Sequence, residues 1–292
     1  MGAASSSASS STETSWWAGT VARVDCGAVP TPQSPDAFYL PLGDGRFEST
    51  EHTGGPWDPR LQHAGPPSAL LTRAVERHES AWPGHIVRVS VDILGPVPVA
   101  ELTVTTQTLR TGKSVELVQA ELRSNDRMAA RATAWRVVDM DLDLPDHPEV
   151  EHEVPPFPDA ATPLPPGWGG GYLAAMEWRQ AGGEWAGSGP ATVWGRMRYP
   201  LVPDEQPTGL QRVMAIADSG NGVSHVLSFE EWLFINPDLT VHVAAEPQGE
   251  WICLDAATSV SRRGSGLAAS RLFDRERLVA RGAQALYVAP RG

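Results

Sequence analysis

Cysteine is scarce in this 292-residue chain: Cys26 and Cys253 stand far apart, with no second pair of ligands near either. That excludes a disulfide framework and a zinc site, and it fits a reducing cytoplasm. Positive charge is also short, at 23 Lys plus Arg against 35 Asp plus Glu and a formal net charge of -12. Such a balance opposes phosphate backbones and anionic membranes, so no nucleic acid and no membrane is expected as a partner. No apolar run is long enough to span a bilayer, and the N-terminus has neither the basic start nor the apolar stretch of an export signal. Motifs of familiar chemistry are missing too: there is no G-x-S-x-G elbow, no G-x-x-x-x-G-K-[ST] loop, no G-x-G-x-x-G after a strand and no H-E-x-x-H. Serine hydrolases of the α/β type, nucleotide enzymes using the usual loops, and zincins all lose support. No cofactor and no metal is implied.

What is there is a globular composition, 41% hydrophobic and 20% charged, arranged as two halves with one grammar. Residues 1–35 are rich in Ser and Ala and read as a disordered or extended tail. In 36–140, "GPPSALLTRAVER" places Leu70, Leu71, Ala74 and Val75 at helical spacing behind Pro66 and Pro67. The segments "IVRVSVDIL", "ELTVTTQTL", "SVELVQAELRS" and "MAARATAWRVV" then alternate as an antiparallel meander with turns at "RTGK" and "SNDR". Residues 141–167 are acidic and proline-rich, the composition of a semi-extended linker. In 168–292 the order repeats: "ATVWGRMRYPLV" as a strand, "TGLQRVMAIADS" as a helix, "SHVLSFEEWLFINP" as a strand, and a second meander to the end. Ala130-Arg131 matches Ala280-Arg281 (280 − 130 = 150), a period that denotes a duplicated domain. A helix with one apolar face and a sheet with one apolar face must cover each other. The predicted fold is therefore α+β, a double hotdog in which each half wraps an antiparallel sheet around one long helix, the halves pairing edge to edge.

The copies differ where chemistry could lie. With the 150-residue shift Ser68 falls opposite Asp218, and Ala134 opposite Gln284, so an acid and an amide occur only in the second copy. Gln284 has small and apolar neighbours on its strand; turned toward the helix it needs a polar partner, which Asp218 at the helix end could supply. Equally, Asp218 could cap a turn while Gln284 faces solvent. The glycines Gly220 and Gly222 around Asn221 read as positions for positive φ.

The stretches "GPWDPRLQHAGPPSALLTRAVER", "ADSGNGVSHVLSFEEWLFINPDLTVH" and "GEWICLDAATSV…GLAASRLFD" resemble the thioesterase-like double hotdog family related to acyl-CoA thioesterase II, over residues 36 to 290. The resemblance implies hydrolysis of an acyl-CoA or acyl-carrier thioester. In that family an aspartate on the second helix, a hydroxyl on the following strand and a glutamine on the last strand hold the attacking water; these roles fall on Asp218, Ser228 and Gln284, with Ser224 as a second candidate for the hydroxyl. Asn221, Gly220, Gly222, His63, Gly65 and Trp232 are the candidate substrate-binding residues, and Phe234, Trp194 and Met197 could line the acyl chain. His225, seven residues beyond Asp218, is poorly spaced for an enoyl-CoA hydratase, the rival chemistry on this fold. A non-catalytic acyl-thioester binding protein remains open, and so does a homodimer.

Overall fold

The computed structural model describes residues 36–148, 150–184 and 187–291. The N-terminal tail, with Cys26, lies outside the described residues. In chain order the elements are β1 (Tyr39–Gly43), β2 (Arg46–Ser49), α1 (Gly65–Arg77), β3 (Gly84–Ile93), β4 (Glu101–Arg110), β5 (Val115–Ser124) and β6 (Arg127–Val138). There follow α2 (Gly171–Ala175), β7 (Met176–Gly182), β8 (Ala191–Met197), α3 (Gly209–Ala217), α4 (Gly220–Val223), β9 (Trp232–Ile235), β10 (Asp238–Val243), β11 (Ile252–Ser261), β12 (Ser265–Phe273) and β13 (Leu278–Pro290).

Helix α1 begins with Pro66 and Pro67 in its first turn, where a missing N–H has no helical partner to lose, and buries Leu70, Leu71 and Val75. Each such side chain contributes about 1.5–3 kcal/mol on leaving water. Helix α3 is started by Thr208, whose hydroxyl accepts from the backbone N–H of Gln211 at 3.1 Å, and it ends at Asp218. The strands join in one antiparallel sheet, ordered β1-β2-β4-β5-β6-β3-β10-β13-β12-β11-β8-β7, with β9 paired to β13. The fold is a double hotdog of the α+β class.

Duplication is visible in the registers. Val118 pairs with Ala134 in the first half and Ala268 with Gln284 in the second, each position shifted by 150. At the seam β3 pairs with β10, and the equivalent residues Ser90 and Thr240 face each other, Thr240 Oγ1 donating to Ser90 Oγ at 3.0 Å. Behind the seam α1 and α3 run antiparallel. Glu76, near the end of α1, accepts from Thr208 and Gln211 at the start of α3, at 2.8 and 2.6 Å. At the other end Gly65 packs on the carbonyl of Ala215, an approach that any Cβ at residue 65 would block. This crossing brings the start of α1 to the end of α3.

Several expectations need correction. Counted from the helix starts the two copies are offset by 209 − 65 = 144, so Asp218 corresponds to Ala74; Ser68 sits in the first turn of α1. Gly220 and Gly222 lie in the helical turn α4 and not at positive φ. Gly220 is needed for space, since a Cβ there would stand 2.8 Å from Gln284 Oε1. The segment from Ser224 to Glu231 is loop and turn; only Trp232–Ile235 forms a strand. Within the stretch read as linker, the later residues dock: Trp194 donates its indole N–H to the carbonyl of Pro156 (2.9 Å), and the Phe157 ring sits edge-on to Trp194 and Trp251. That contact lies on the sheet face opposite the helices, where Trp194 packs with Cys253 and Phe273. Trp194 is therefore not available to line an acyl site.

Candidate active site

Asp218 caps the end of α3 and is buried, 4% exposed. Three side chains from three other parts of the chain meet its carboxylate. Asn236, between β9 and β10, donates to Oδ1 at 2.8 Å, and Gln284, on β13, donates to the same oxygen at 3.2 Å. His63, just before α1, places Nδ1 3.2 Å from Oδ2.

Each partner is itself held. The Gln284 amide also donates to the Asp218 carbonyl at 3.0 Å and accepts from the Asn221 N–H at 3.1 Å, so both of its N–H groups point at Asp218. Asn221 in turn donates its side-chain amide to the Phe234 carbonyl at 3.0 Å. The His63 ring stacks on Tyr172 at a centroid distance of 4.1 Å, and the Tyr172 hydroxyl bonds the Ala215 carbonyl at 2.8 Å and Ser219 at 3.0 Å. Tyr172 is seated by Gly171, whose φ of +56 and contact with the Gly54 carbonyl leave no room for a side chain.

His63 Nδ1 accepts from the Gly65 N–H at 3.0 Å. Burial pushes the His63 pKa down, an effect that Asp218 opposes only in part, so the imidazole is held neutral. The Nδ1 lone pair is taken by the bond from Gly65, which leaves the single proton of the neutral ring on Nε2. Burial likewise raises the pKa of Tyr172, keeping it a phenol.

Two cavities meet at this cluster. A groove of about 790 Å³ is bordered by Gln62, His63, Asp218, Asn236, Tyr287 and Arg291 among others. Beside it lies an apolar pocket of about 60 Å³ walled by Trp57, Trp168, Trp178, Phe229 and Phe234. Pro56, Trp57, His63, Asn221 and Phe234 border both, so pocket and groove join next to Asp218.

The structure thus brings Asp218, Gln284, His63 and Asn221 together. Gly65 sits at the helix crossing, and Gly220 against Gln284. Gly222 borders the pocket. Ser228 is not brought to the cluster: it is exposed, and its hydroxyl accepts from the N–H of Glu230 at 3.2 Å in the turn before β9. Ser224 is buried, bonded to the Gly220 carbonyl and to Thr258. Trp232 packs with Phe234, Leu286 and Val288 and borders neither cavity. Asn236 was missed by sequence reasoning. Its signal was an amide directly before Pro237 at the end of an apolar strand, a place with no need of one. Among the described residues no group of three or more His, Cys, Asp or Glu side chains is placed to hold a metal ion. No helix among them is long and apolar enough to cross a membrane.

A buried carboxylate thus stands at the junction of an apolar pocket and a more open groove, on a double hotdog scaffold. Comparison with known proteins bears on this directly. The profile of the acyl-CoA thioesterase N-terminal domain matches residues 53–137, and that of the acyl-CoA thioesterase C-terminal domain matches residues 149–288. The chain belongs to the acyl-CoA thioesterase family. Among solved structures, a hot dog fold protein of unknown function from Alicyclobacillus acidocaldarius has a TM-score of 0.66 at 17% identity, covering 88% of this chain and 98% of its own. The acyl-CoA thioesterase II TesB2 of Mycobacterium marinum has a TM-score of 0.58 at 16% identity, covering 87% and 95%. The tesB protein of Mycobacterium avium subs paratuberculosis has a TM-score of 0.59 at 19% identity, covering 86% and 96%. Among curated proteins no sequence matches.

Proposed function

We propose that the protein hydrolyses acyl-CoA or acyl-carrier thioesters by general-base activation of water, with Asp218 as the base. The observation that carries this reading is the Asp218 carboxylate itself, buried, oriented by Asn236 and Gln284 beside His63, and set where the groove meets the apolar pocket. The acyl group enters the pocket and the thiol carrier lies along the groove, where Arg291, stacked over Trp57 at 4.7 Å, offers a cation to an anionic carrier.

Water gives a proton to Asp218 Oδ2 as its oxygen attacks the thioester carbonyl. The tetrahedral intermediate collapses, the C–S bond breaks, and the thiolate leaves with the proton returned from Asp218. Thiolate is a good leaving group and needs little acid assistance. Asn236 and Gln284 are positioning residues: they fix Oδ1 and leave Oδ2 for the water. Such an enzyme acts on thioesters of acyl-lipid metabolism in the cytoplasm.

Free thiol release from a panel of acyl-CoAs tests the reading. Asp218→Asn lowers the rate by about 100- to 10,000-fold, the usual contribution of a general base, whereas Ser228→Ala leaves it within about twofold. One observation favours a binding-only protein: every hydrogen-bonding group of Gln284 is already engaged within the chain. Tight acyl-CoA binding with no thiol released by the unaltered protein would establish that alternative. Hydration is not supported, because His225 turns Nδ1 to the Gly222 carbonyl (3.1 Å) and packs on Phe229.

A further inference from the structure

His63 is held on one face and at one nitrogen. Its ring lies on Tyr172 at 4.1 Å, and Nδ1 takes the Gly65 N–H. The neutral ring carries its proton on Nε2, and among the described residues that nitrogen has no hydrogen-bond partner. An N–H this enclosed is ordinarily satisfied within the chain. The His63 side chain is 14% exposed and borders both the apolar pocket and the groove, so its open edge is the one that carries Nε2. The neighbouring side-chain donors are engaged already. Gln284 donates to the carbonyl and carboxylate of Asp218, and Asn236 to Asp218 and to the Asp238 carbonyl. Asn221 turns its amide to the Phe234 carbonyl, and the Tyr172 hydroxyl bonds the Ala215 carbonyl.

We infer that His63 is a catalytic residue whose Nε2–H binds the thioester carbonyl oxygen and stabilises the oxyanion formed when water attacks. This rests on the thioesterase reading above. As the water oxygen bonds to the carbonyl carbon, the C=O π electrons move to oxygen and the water proton goes to Asp218. Nε2–H donates to the resulting alkoxide and keeps its own proton. On collapse the electron pair re-forms C=O, the C–S bond breaks, and the thiolate leaves with the proton from Asp218. An uncharged imidazole suits this part, because a cation beside Asp218 would favour the carboxylate and weaken it as a base. Enzymes that polarise a carbonyl with a neutral histidine use the same device. The Gly65 N–H fixes the tautomer that the device requires, and Asp218 Oδ2, 3.2 Å from Nδ1, sets base and donor side by side.

Three variants test this: His63→Asn keeps an acceptor for the Gly65 N–H, His63→Phe keeps the stack on Tyr172, and His63→Gln offers an amide N–H near the Nε2 position. The first two lack the donor. Loss of one oxyanion donor lowers kcat by about 100- to 1,000-fold, so that fall is expected in both, with KM little changed and about tenfold regained in His63→Gln. An infrared band separates this from a structural role. The probe is dethia-butyryl-CoA, with methylene in place of sulfur and ¹³C at the ketone carbonyl. Its carbonyl stretch moves to lower frequency on binding to the unaltered protein, and the shift is lost in His63→Asn and His63→Phe. A stretch that does not move, or moves equally without His63, overturns the inference whatever kcat does; so does a kcat kept within about tenfold in either variant lacking the donor. If neither of those variants folds, the His63 Nε2–H proton resonance of the unaltered protein decides: the ketone moves it downfield if the bond forms and leaves it in place if not. Should the unaltered protein hydrolyse no thioester, the thioesterase reading fails by itself, and the ketone band still decides whether Nε2–H holds the carbonyl.

Discussion

Replacing Gly220 by alanine sets two effects against each other. In a helical turn with ordinary φ, alanine is the better residue by about 1 kcal/mol, so the substitution by itself should stabilise α4. The added methyl, however, would stand 2.8 Å from Gln284 Oε1. Contact between such atoms is comfortable from about 3.5 Å, so the amide must retreat by roughly 0.7 Å. Gln284 is 2% exposed, and its three hydrogen bonds, to the Asn221 N–H and to the carbonyl and carboxylate of Asp218, lie at 3.0 to 3.2 Å with little slack. Losing part of this buried network costs about 1–3 kcal/mol, which outweighs the helical gain. Displacing the carboxylate by even part of an ångström lowers kcat by up to about 100-fold. The comparison variant is Gly222→Ala in the same turn, whose Cβ meets nothing within 4 Å. Thermal unfolding should rank Gly222→Ala above the unaltered protein and Gly220→Ala below it, and thiol release by Gly220→Ala should fall. If Gly220→Ala gains stability as Gly222→Ala does and keeps its rate within about twofold, the contact between α4 and Gln284 does not matter and the reasoning fails.

Two further outcomes follow from the buried polar groups. Asn236→Ala removes the 2.8 Å donor to Asp218 Oδ1, with a stability loss of about 1–3 kcal/mol by denaturant titration and a fall in kcat larger than any rise in KM. Glu76→Gln tests linkage at the other end of the helix pair. Burial raises the Glu76 pKa despite the donors Gln211 and Thr208, so the folded state holds its proton to higher pH than the unfolded state. Stability from this group is fully present below the unfolded carboxylate value and is lost as pH rises through the raised folded one. The unfolding temperature of the unaltered protein should therefore fall relative to Glu76→Gln as pH rises above about 4, and a difference independent of pH would contradict this.

Much of the architecture was legible because the strands repeat with fixed period, down to the pairing of Val118 with Ala134 and of Ala268 with Gln284. Asp218 and Gln284 stood out since a duplicated polar position with an apolar counterpart needs a reason. The helices did not keep the strand offset, because the connection after the helix is longer in the second copy, from Ala217 to Asp238 against Arg77 to Gly84, and so Ser68 proved the wrong counterpart of Asp218. Proximity of His63 to Asp218 could not be read along the chain. It depends on the antiparallel crossing that Gly65 permits against Ala215. Ser228 seemed a strand residue only because its segment is rich in apolar and aromatic side chains; the rings of Phe229 and Phe234 instead wall the apolar pocket and leave the serine outside. Asn236, at the bend into β10, reaches the carboxylate by a turn that local sequence does not display.

Single-turnover hydrolysis in ¹⁸O-water tests the role given to Asp218 most directly. If the carboxylate only draws a proton from water, the released acid carries one labelled oxygen and the peptide containing Asp218 carries none. Label in Asp218 with none in the released acid would mean that the carboxylate itself attacks the thioester, and the account would be wrong.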